Sequence, residues 1–396
     1  MNASLPLKYI ANVVAGQSPP SEFTNPLNSG LPFLQGNAEF GRETPLAKLE
    51  CDAAPKVCKT GDILLSVRAP VGDLNIADQS YGIGRGLAAI RSERCDSRFM
   101  WWWLHGQIAY LNSIATGSTY VAVTAEDVAS LRFPVMSIEE QRRIANYLDI
   151  EIARIVKVED LQRRAKSLVR VRRWSMLDEI LRRTRTVDVP IRRMLRFITD
   201  GPFGSAFSSA DYVDEGAAVV RLGNIGFDEY KGVSQAYIPM DLYRGFYRYR
   251  VREGDVLVAG LGDANNHPGR ACVAPDLGPA IVKGKCFCLR VDEDLVLGKF
   301  LSLMLSSSWG KQSLGSRGST RSMINLEIVK AAIMPLPTVF DQKMITREME
   351  RVSILENQVI GKIERHLELL GERRQTLIAT AVTGQIDVTT ARGVTV

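Results

Sequence analysis

Histidine occurs only as His105, His267 and His366, and none has a Ser or Cys nearby with a matching acid, so a hydrolytic triad is not laid out here. Six cysteines, Cys51, Cys58, Cys95, Cys272, Cys286 and Cys288, form no CxxC pair and lack histidines at ligand spacing. They read as reduced packing thiols rather than zinc ligands. Gly82-Ile83-Gly84-Arg85-Gly86 has the glycines of a phosphate-cradling loop without the flanking strand and helix or the downstream acid, and strand turns account for it better. An adenine methyltransferase would show Asn/Asp-Pro-Pro-aromatic. The nearest segment, Asp200-Gly201-Pro202-Phe203, fails at its second residue. Asp211 or Asp214 with Glu229-Tyr230-Lys231 meets the minimal spacing of a metal-dependent nuclease, a pattern loose enough to arise by chance. No catalytic and no metal-ligating residue is therefore expected.

What remains suits binding. Arg68, Arg85, Arg221, Asn224, Lys231, Arg244, Arg248, Arg250 and Arg270 fall in loop-like stretches beside Gly and aromatics, where guanidinium and backbone can approach phosphates or guanine edges. Tyr243, Phe246, Tyr247 and Tyr249 interleave with three of these arginines, although any single ring is better explained as core. Two loops with small residues, Gly117-Ser118-Thr119-Tyr120 and Gly318-Ser319-Thr320-Arg321, are candidates to bring backbone N–H groups against phosphate; a structural turn is the competing reading. A net charge of +6 and a pI near 9.0 are compatible with a polyanionic partner such as double-stranded DNA. The basic run Arg163, Arg164, Lys166, Arg170, Arg172, Arg173 reads first as a solvated helix face.

These loops need elements to position them, and two helices dominate the pattern. From about Ile138 to Arg183 apolar residues recur in steps of three and four through Ile144, Leu148, Ile152, Ile155, Val158 and Leu161, with no Pro or Gly. From about Asp341 to Val382 the pattern returns through Ile345, Met349, Val352, Leu355, Val359 and Ile363. Each helix spans roughly 60 Å at about 1.5 Å per residue, and matching seams predict a shallow-angle pair in coiled-coil fashion. The alternative is that each helix lies along its own domain.

The second half repeats the first. Val189-Pro190-Ile191-Arg192 echoes Leu5-Pro6-Leu7-Lys8, Arg221-Leu222-Gly223-Asn224 echoes Leu34-Gln35-Gly36-Asn37, and Gly254-Asp255-Val256-Leu257 echoes Gly61-Asp62-Ile63-Leu64. Ile333-Met334-Pro335 followed by Gln342 echoes Arg132-Phe133-Pro134 followed by Gln141. Offsets grow from 189 − 5 = 184 to 318 − 117 = 201, as loop insertions would produce. Short strands are expected at 31–35, 61–67, within 73–90 and at 131–134, and a buried helix at 98–111. A duplicated module plus its helix follows: recognition domains at 1–136 and 185–338, helical regions at 137–184 and at 339–396 including the tail. No apolar run of membrane-spanning length and no leader-like start occurs, so a cytoplasmic protein is expected.

Phe133-Pro134-Val135 leading to Glu140-Gln141-Arg142-Arg143-Ile144, and Arg373-Arg374-Gln375-Thr376-Leu377-Ile378 through Ala381-Val382-Thr383-Gly384-Gln385-Ile386-Asp387-Val388, give the chain a family resemblance. It resembles the specificity subunit of type I restriction–modification systems over almost its entire length. Phe340-Asp341-Gln342-Lys343 departs by lacking the Glu before Gln. The resemblance implies two tandem α+β target recognition domains joined by two long antiparallel coiled-coil helices with pseudo-two-fold symmetry. It implies a non-catalytic reader of a split, asymmetric DNA sequence, with the helices as a ruler between half-sites. It also implies recruitment of two methyltransferase and two restriction subunits, which would supply the S-adenosylmethionine, ATP and Mg chemistry.

Overall fold

In the computed structural model, residues 3–116, 121–202, 207–263, 266–314 and 323–386 are described. The repeated Gly-Asp pairs show how the two copies are built. Gly61 and Gly254 take φ values of +86° and +85°, a left-handed conformation that glycine adopts without strain. They turn the chain into strands Ile63–Ser66 and Val256–Ala259. Each following aspartate is buried and receives a two-pronged bond from the neighbouring strand. Arg91 Nε and Nη2 reach Asp62 at 2.8 and 2.7 Å, and Arg290 Nε and Nη2 reach Asp255 at 2.9 and 2.7 Å. Each carboxylate also accepts a backbone N–H, from Lys59 and from Arg252, both at 2.8 Å. Such forked charge-assisted pairs fix register as well as adding energy.

Residues up to 163 with those from 364 on form one compact unit, and residues 164–363 form the other. In the first unit a four-stranded antiparallel sheet runs in the order Ala11–Ala15, Leu87–Ser92, Ile63–Ser66, Leu74–Ile76. The second unit has the same order in Leu195–Asp200, Cys286–Val291, Val256–Ala259, Ala271–Val273. Beside each sheet lies a second one built on a parallel pair, five-stranded around Pro32–Leu34 with Tyr81–Ile83 and three-stranded around Ala217–Val220 with Ala280–Val282. A two-stranded ribbon closes each copy, Ser4–Pro6 against Arg132–Pro134 and Val187–Pro190 against Ile333–Leu336. The duplication read from short echoes is thus a duplication of topology.

A buried helix backs each sheet. Ser97–Ile114 begins where the Asp96 side chain accepts the N–H groups of Arg98 and Phe99 at 3.0 and 3.1 Å. It is apolar on most sides, which buries Phe99, Met100, Trp103 and Leu104. Gly298–Ser306 is its counterpart, with Phe300, Leu301 and Leu303 to Leu305 buried. The repeated glutamines explain themselves here. Gln141 Oε1 accepts the Asp96 N–H at 2.8 Å, and Gln342 Oε1 accepts the Leu297 N–H at 2.9 Å. Each glutamine therefore ties a long helix to the start of its buried helix, and this is why Gln survives where the preceding Glu does not.

The long helices run from Ile138 to Arg183 and from Val339 to Val382. In the first unit Ile144, Leu148, Ile152 and Ile155 share one core with Trp103, Phe133, Leu370, Ile378 and Val382. In the second, Met349 and the partly buried Val352 join Leu177, Phe300 and Met334. Helix start and helix end meet within each unit, as antiparallel helices require. The seam is not continuous, however. Ile363 is buried, but Val359 is 43% exposed, as are Val158 at 37%, Leu161 at 55% and Leu355 at 61%. The helices share a core near Ile144 to Ile155 in one unit and near Met349 and Val352 in the other, and the exposed seam residues fall between these stretches in the sequence.

Candidate nucleic-acid interface

In the second unit, the strand Ala217–Val220 ends in a tight corner at Arg221-Leu222-Gly223-Asn224. Asn224 is 1% exposed; its Oδ1 accepts the Arg221 N–H at 2.9 Å and its Nδ2 donates to the Lys231 carbonyl at 2.9 Å. It is a brace inside the loop, not a group offered to a ligand. Arg270 is likewise 6% exposed and donates to the carbonyls of Ile225, Leu261 and Leu222 at 2.9, 2.9 and 3.2 Å. Both were expected at the surface. Burial turns each inward, where orphan carbonyls of a loop need donors.

Arg68, Arg85, Lys231 and Arg244 are exposed. Arg68 follows the Ile63–Ser66 strand, and Arg85 stands at the turn between Tyr81–Ile83 and Leu87–Ser92. Arg244 pairs with Asp241 at 2.9 Å on the surface. Arg250 lies over the Tyr243 ring at 4.5 Å and Arg248 over Tyr247 at 5.7 Å, so the arginine–aromatic run forms local stacks. Gly117 to Tyr120 and Gly318 to Arg321 lie outside the described residues. Their flanks are anchored alike: Val123 N–H donates to the Val67 carbonyl at 2.9 Å, and Ile324 N–H donates to the Gly260 carbonyl at 2.9 Å.

The loop after Asn224 is held from below. Asp228, at φ +60°, meets Arg173 of the first long helix at 2.9 Å, Lys299 at 3.2 Å and the Ser302 hydroxyl at 2.8 Å. Its own N–H donates to Ser306 Oγ at 3.0 Å. Arg173 also faces Glu356 of the second long helix at 4.0 Å, and burial pushes the Glu356 carboxyl above the ordinary carboxylate range. The loop carrying Arg221 and Lys231 is thereby fixed to both helices.

Above this floor opens a cavity of about 600 Å³ lined by Tyr212, Arg221, Ser234, Lys283 and Lys285 among others. Lys283 Nζ bonds the Tyr212 hydroxyl at 2.8 Å and sits 4.6 Å over the Phe207 ring. Neither lysine nor Tyr212 stood out in the sequence. The one available signal was that Lys283-Gly284-Lys285 follows its strand as Gly84-Arg85-Gly86 follows the earlier one.

The model of the "Type I restriction modification DNA specificity domain" family matches residues 7–165. A putative MjaX specificity subunit of a type I restriction enzyme from Methanocaldococcus jannaschii is 40% identical over 169 residues. The EcoBI specificity subunit of Escherichia coli is 21% identical over 325 residues, 75% of this chain. Residues 7–165 therefore carry a type I specificity domain. The matched stretch spans 39% of the length of the first of these specificity subunits, 41% of this chain, and 67% of the second. A chain from a solved type I restriction–modification assembly superposes with a TM-score of 0.72 at 17% identity, over 97% of this chain and 98% of its own. That likeness carries the fold, two tandem α+β domains with long helices, beyond the region the family model matches.

In the nuclease-like set, Asp211 caps its own turn by accepting the Ser208 N–H at 2.6 Å, while Glu229 and Lys231 are exposed on the other loop. Among the described residues no three His, Cys, Asp or Glu come together as metal ligands would. Nor is any described helix long and apolar enough to cross a membrane. All six cysteines are free thiols.

Proposed function

We propose that this chain is a specificity subunit that reads a bipartite, asymmetric DNA target, one half-site per copy. Residues 1–136 and 185–338 would be the target recognition domains, with residues 137–184 and 339–396 as the helical spacer. The observation that carries the reading is one topology built twice with unlike cations on equivalent turns: a shared skeleton places two readers, and different side chains let them read different bases. Arg68, Arg85, Arg221, Lys231 and Arg244 supply solvent-facing or cavity-facing cations for backbone positioning. The chain itself would carry no catalysis. Two methyltransferase subunits and two restriction subunits would bring S-adenosylmethionine, ATP and Mg. Their docking would use apolar side chains that each unit leaves exposed on its helices, Val158 and Leu161 in one, Leu168, Leu355 and Val359 in the other.

Mapping N6-methyladenine across the genomes of cells with and without the gene tests this reading. Loss of methylation at one split motif is the expected outcome and gives both half-sites and the spacer. Unchanged methylation, with DNA binding that is insensitive to salt, would overturn it in favour of a helical scaffold.

A further inference from the structure

Two turns occupy equivalent places in the two units. Each follows the strand that is paired in parallel, Tyr81–Ile83 or Ala280–Val282, and leads into an inner strand of the four-stranded antiparallel sheet, Leu87–Ser92 or Cys286–Val291. Each is pressed from one side by a glycine ending the first strand of that sheet. A Cβ on Gly16 would lie 2.2 Å from the Gly84 carbonyl oxygen, and one on Gly201 would lie 2.4 Å from the Gly284 nitrogen. Backbone thus lies directly on backbone, and the position of the turn is fixed whatever its side chains are. What varies is the cation: Arg85 between two glycines in one copy, Lys283 and Lys285 around Gly284 in the other.

In the second unit this turn forms one wall of the 600 Å³ cavity, and Arg221 stands on another wall. Among the described residues three cationic side chains line the space and no Asp or Glu does. The contacts that hold two of them leave their charge unneutralised. Lys283 is held by the Tyr212 hydroxyl and two aromatic rings, and Arg221 by the Ser234 carbonyl and the Tyr212 ring at 5.8 Å. Cations held by neutral partners in a concave site attract a small polyoxyanion strongly, because their own desolvation is already partly met.

We propose that this turn is a phosphate clamp, with the Lys283, Lys285 and Arg221 cavity seating a backbone phosphate of bound DNA and Arg85 making the corresponding, single contact in the other copy. The assignment rests on the DNA-reading function above. It makes these residues positioning groups that set where the second reader sits on the duplex without specifying bases.

The test is the salt dependence of duplex binding by the full-length chain, measured on two duplexes of unrelated sequence. For K283Q/K285Q the slope of log K against log salt falls in magnitude by about 1 to 2, and affinity drops about 10-fold near 0.1 M salt, equally on both duplexes. K283R keeps the wild-type slope. K285Q, which leaves the Lys283–Tyr212 bond in place, gives a partial loss with an unchanged thermal melt. A steep wild-type slope that the double variant leaves unaltered sinks the clamp while the DNA-reading function stands. A flat wild-type slope removes that function and the clamp with it. Loss of pyrophosphate binding in the double variant, with the duplex slope unchanged, would reassign the cavity to a free phosphate ligand and overturn the DNA contact.

Discussion

Asp62 with Arg91 and Asp255 with Arg290 differ by no more than a tenth of an ångström in either bond, whereas Asn37 and Asn224, also equivalent by sequence, do different things. Asn37 donates to Asp73 at 2.6 Å near the surface, while Asn224 is buried and braces a loop. The first pair sits where strand register is set, so both copies must keep it. The second sits in a loop outside the sheets, and there the two copies differ. The duplicated units keep what places the backbone and change what lies in the loops.

Breaking the shared half of this comparison has the largest effect. Asp62→Ala or Asp255→Ala strands a partly buried guanidinium and is expected to cost about 3–5 kcal/mol by denaturant unfolding. The two losses should match within about 1 kcal/mol, and a mismatch beyond that would deny the equivalence. Asp228→Ala removes the partner of Arg173 and Lys299 and should cost about 2–3 kcal/mol in the second unit. It should also weaken duplex binding, because the loop bearing Arg221 loses its anchor. A stability loss with duplex affinity intact would separate the anchor from the reader.

Gln141→Ala and Gln342→Ala each leave a helix-start N–H without its acceptor, for an expected loss of about 1–2 kcal/mol apiece in thermal or denaturant melts. The smallest effect sharpens a difference. His105 stands 105 − 97 = 8 residues after the start of its buried helix, and Ser306 stands 306 − 298 = 8 after the start of the other. Burial, with Arg374 nearby, pushes the His105 imidazole down to about 4 from its usual 6.5. The folded state therefore binds this proton less readily than the unfolded chain. Its contribution is intact above pH 6.5 and is lost as pH falls from there toward 4. His105→Gln should flatten the drop in melting temperature between pH 7 and pH 4.5. An unchanged drop would place the acid sensitivity elsewhere.

Much of the architecture was legible because it rests on local patterns. The helix from Ile138 to Arg183 was read to the residue and the second within two residues at its start, since unbroken three-and-four spacing without Pro or Gly admits little else. The strands around 31–35 and 61–67 were read slightly too long, and the buried helix slightly too short. The larger errors concern the site. Arg270 looks like any loop arginine until the fold brings the carbonyls of Leu222 and Ile225, more than forty positions away, around it. Lys283 and Tyr212 are 71 positions apart and meet only because two strands pair in parallel. Spacing along the chain carries no trace of such a meeting. The same limit explains Val359: a seam states which residues are apolar, not which of them the sheets will cover.

The way the chain divides has a consequence for its manufacture. One unit is a continuous stretch, 164–363, while the other needs residues up to 163 and then those from 364 on. During synthesis the continuous unit has all its residues before Leu370, Ile378 and Val382, which complete the other's core, have been translated. The half made first is thus the half finished last: until the second long helix is complete, the core around Ile144 to Ile155 lacks the Leu370, Ile378 and Val382 side chains.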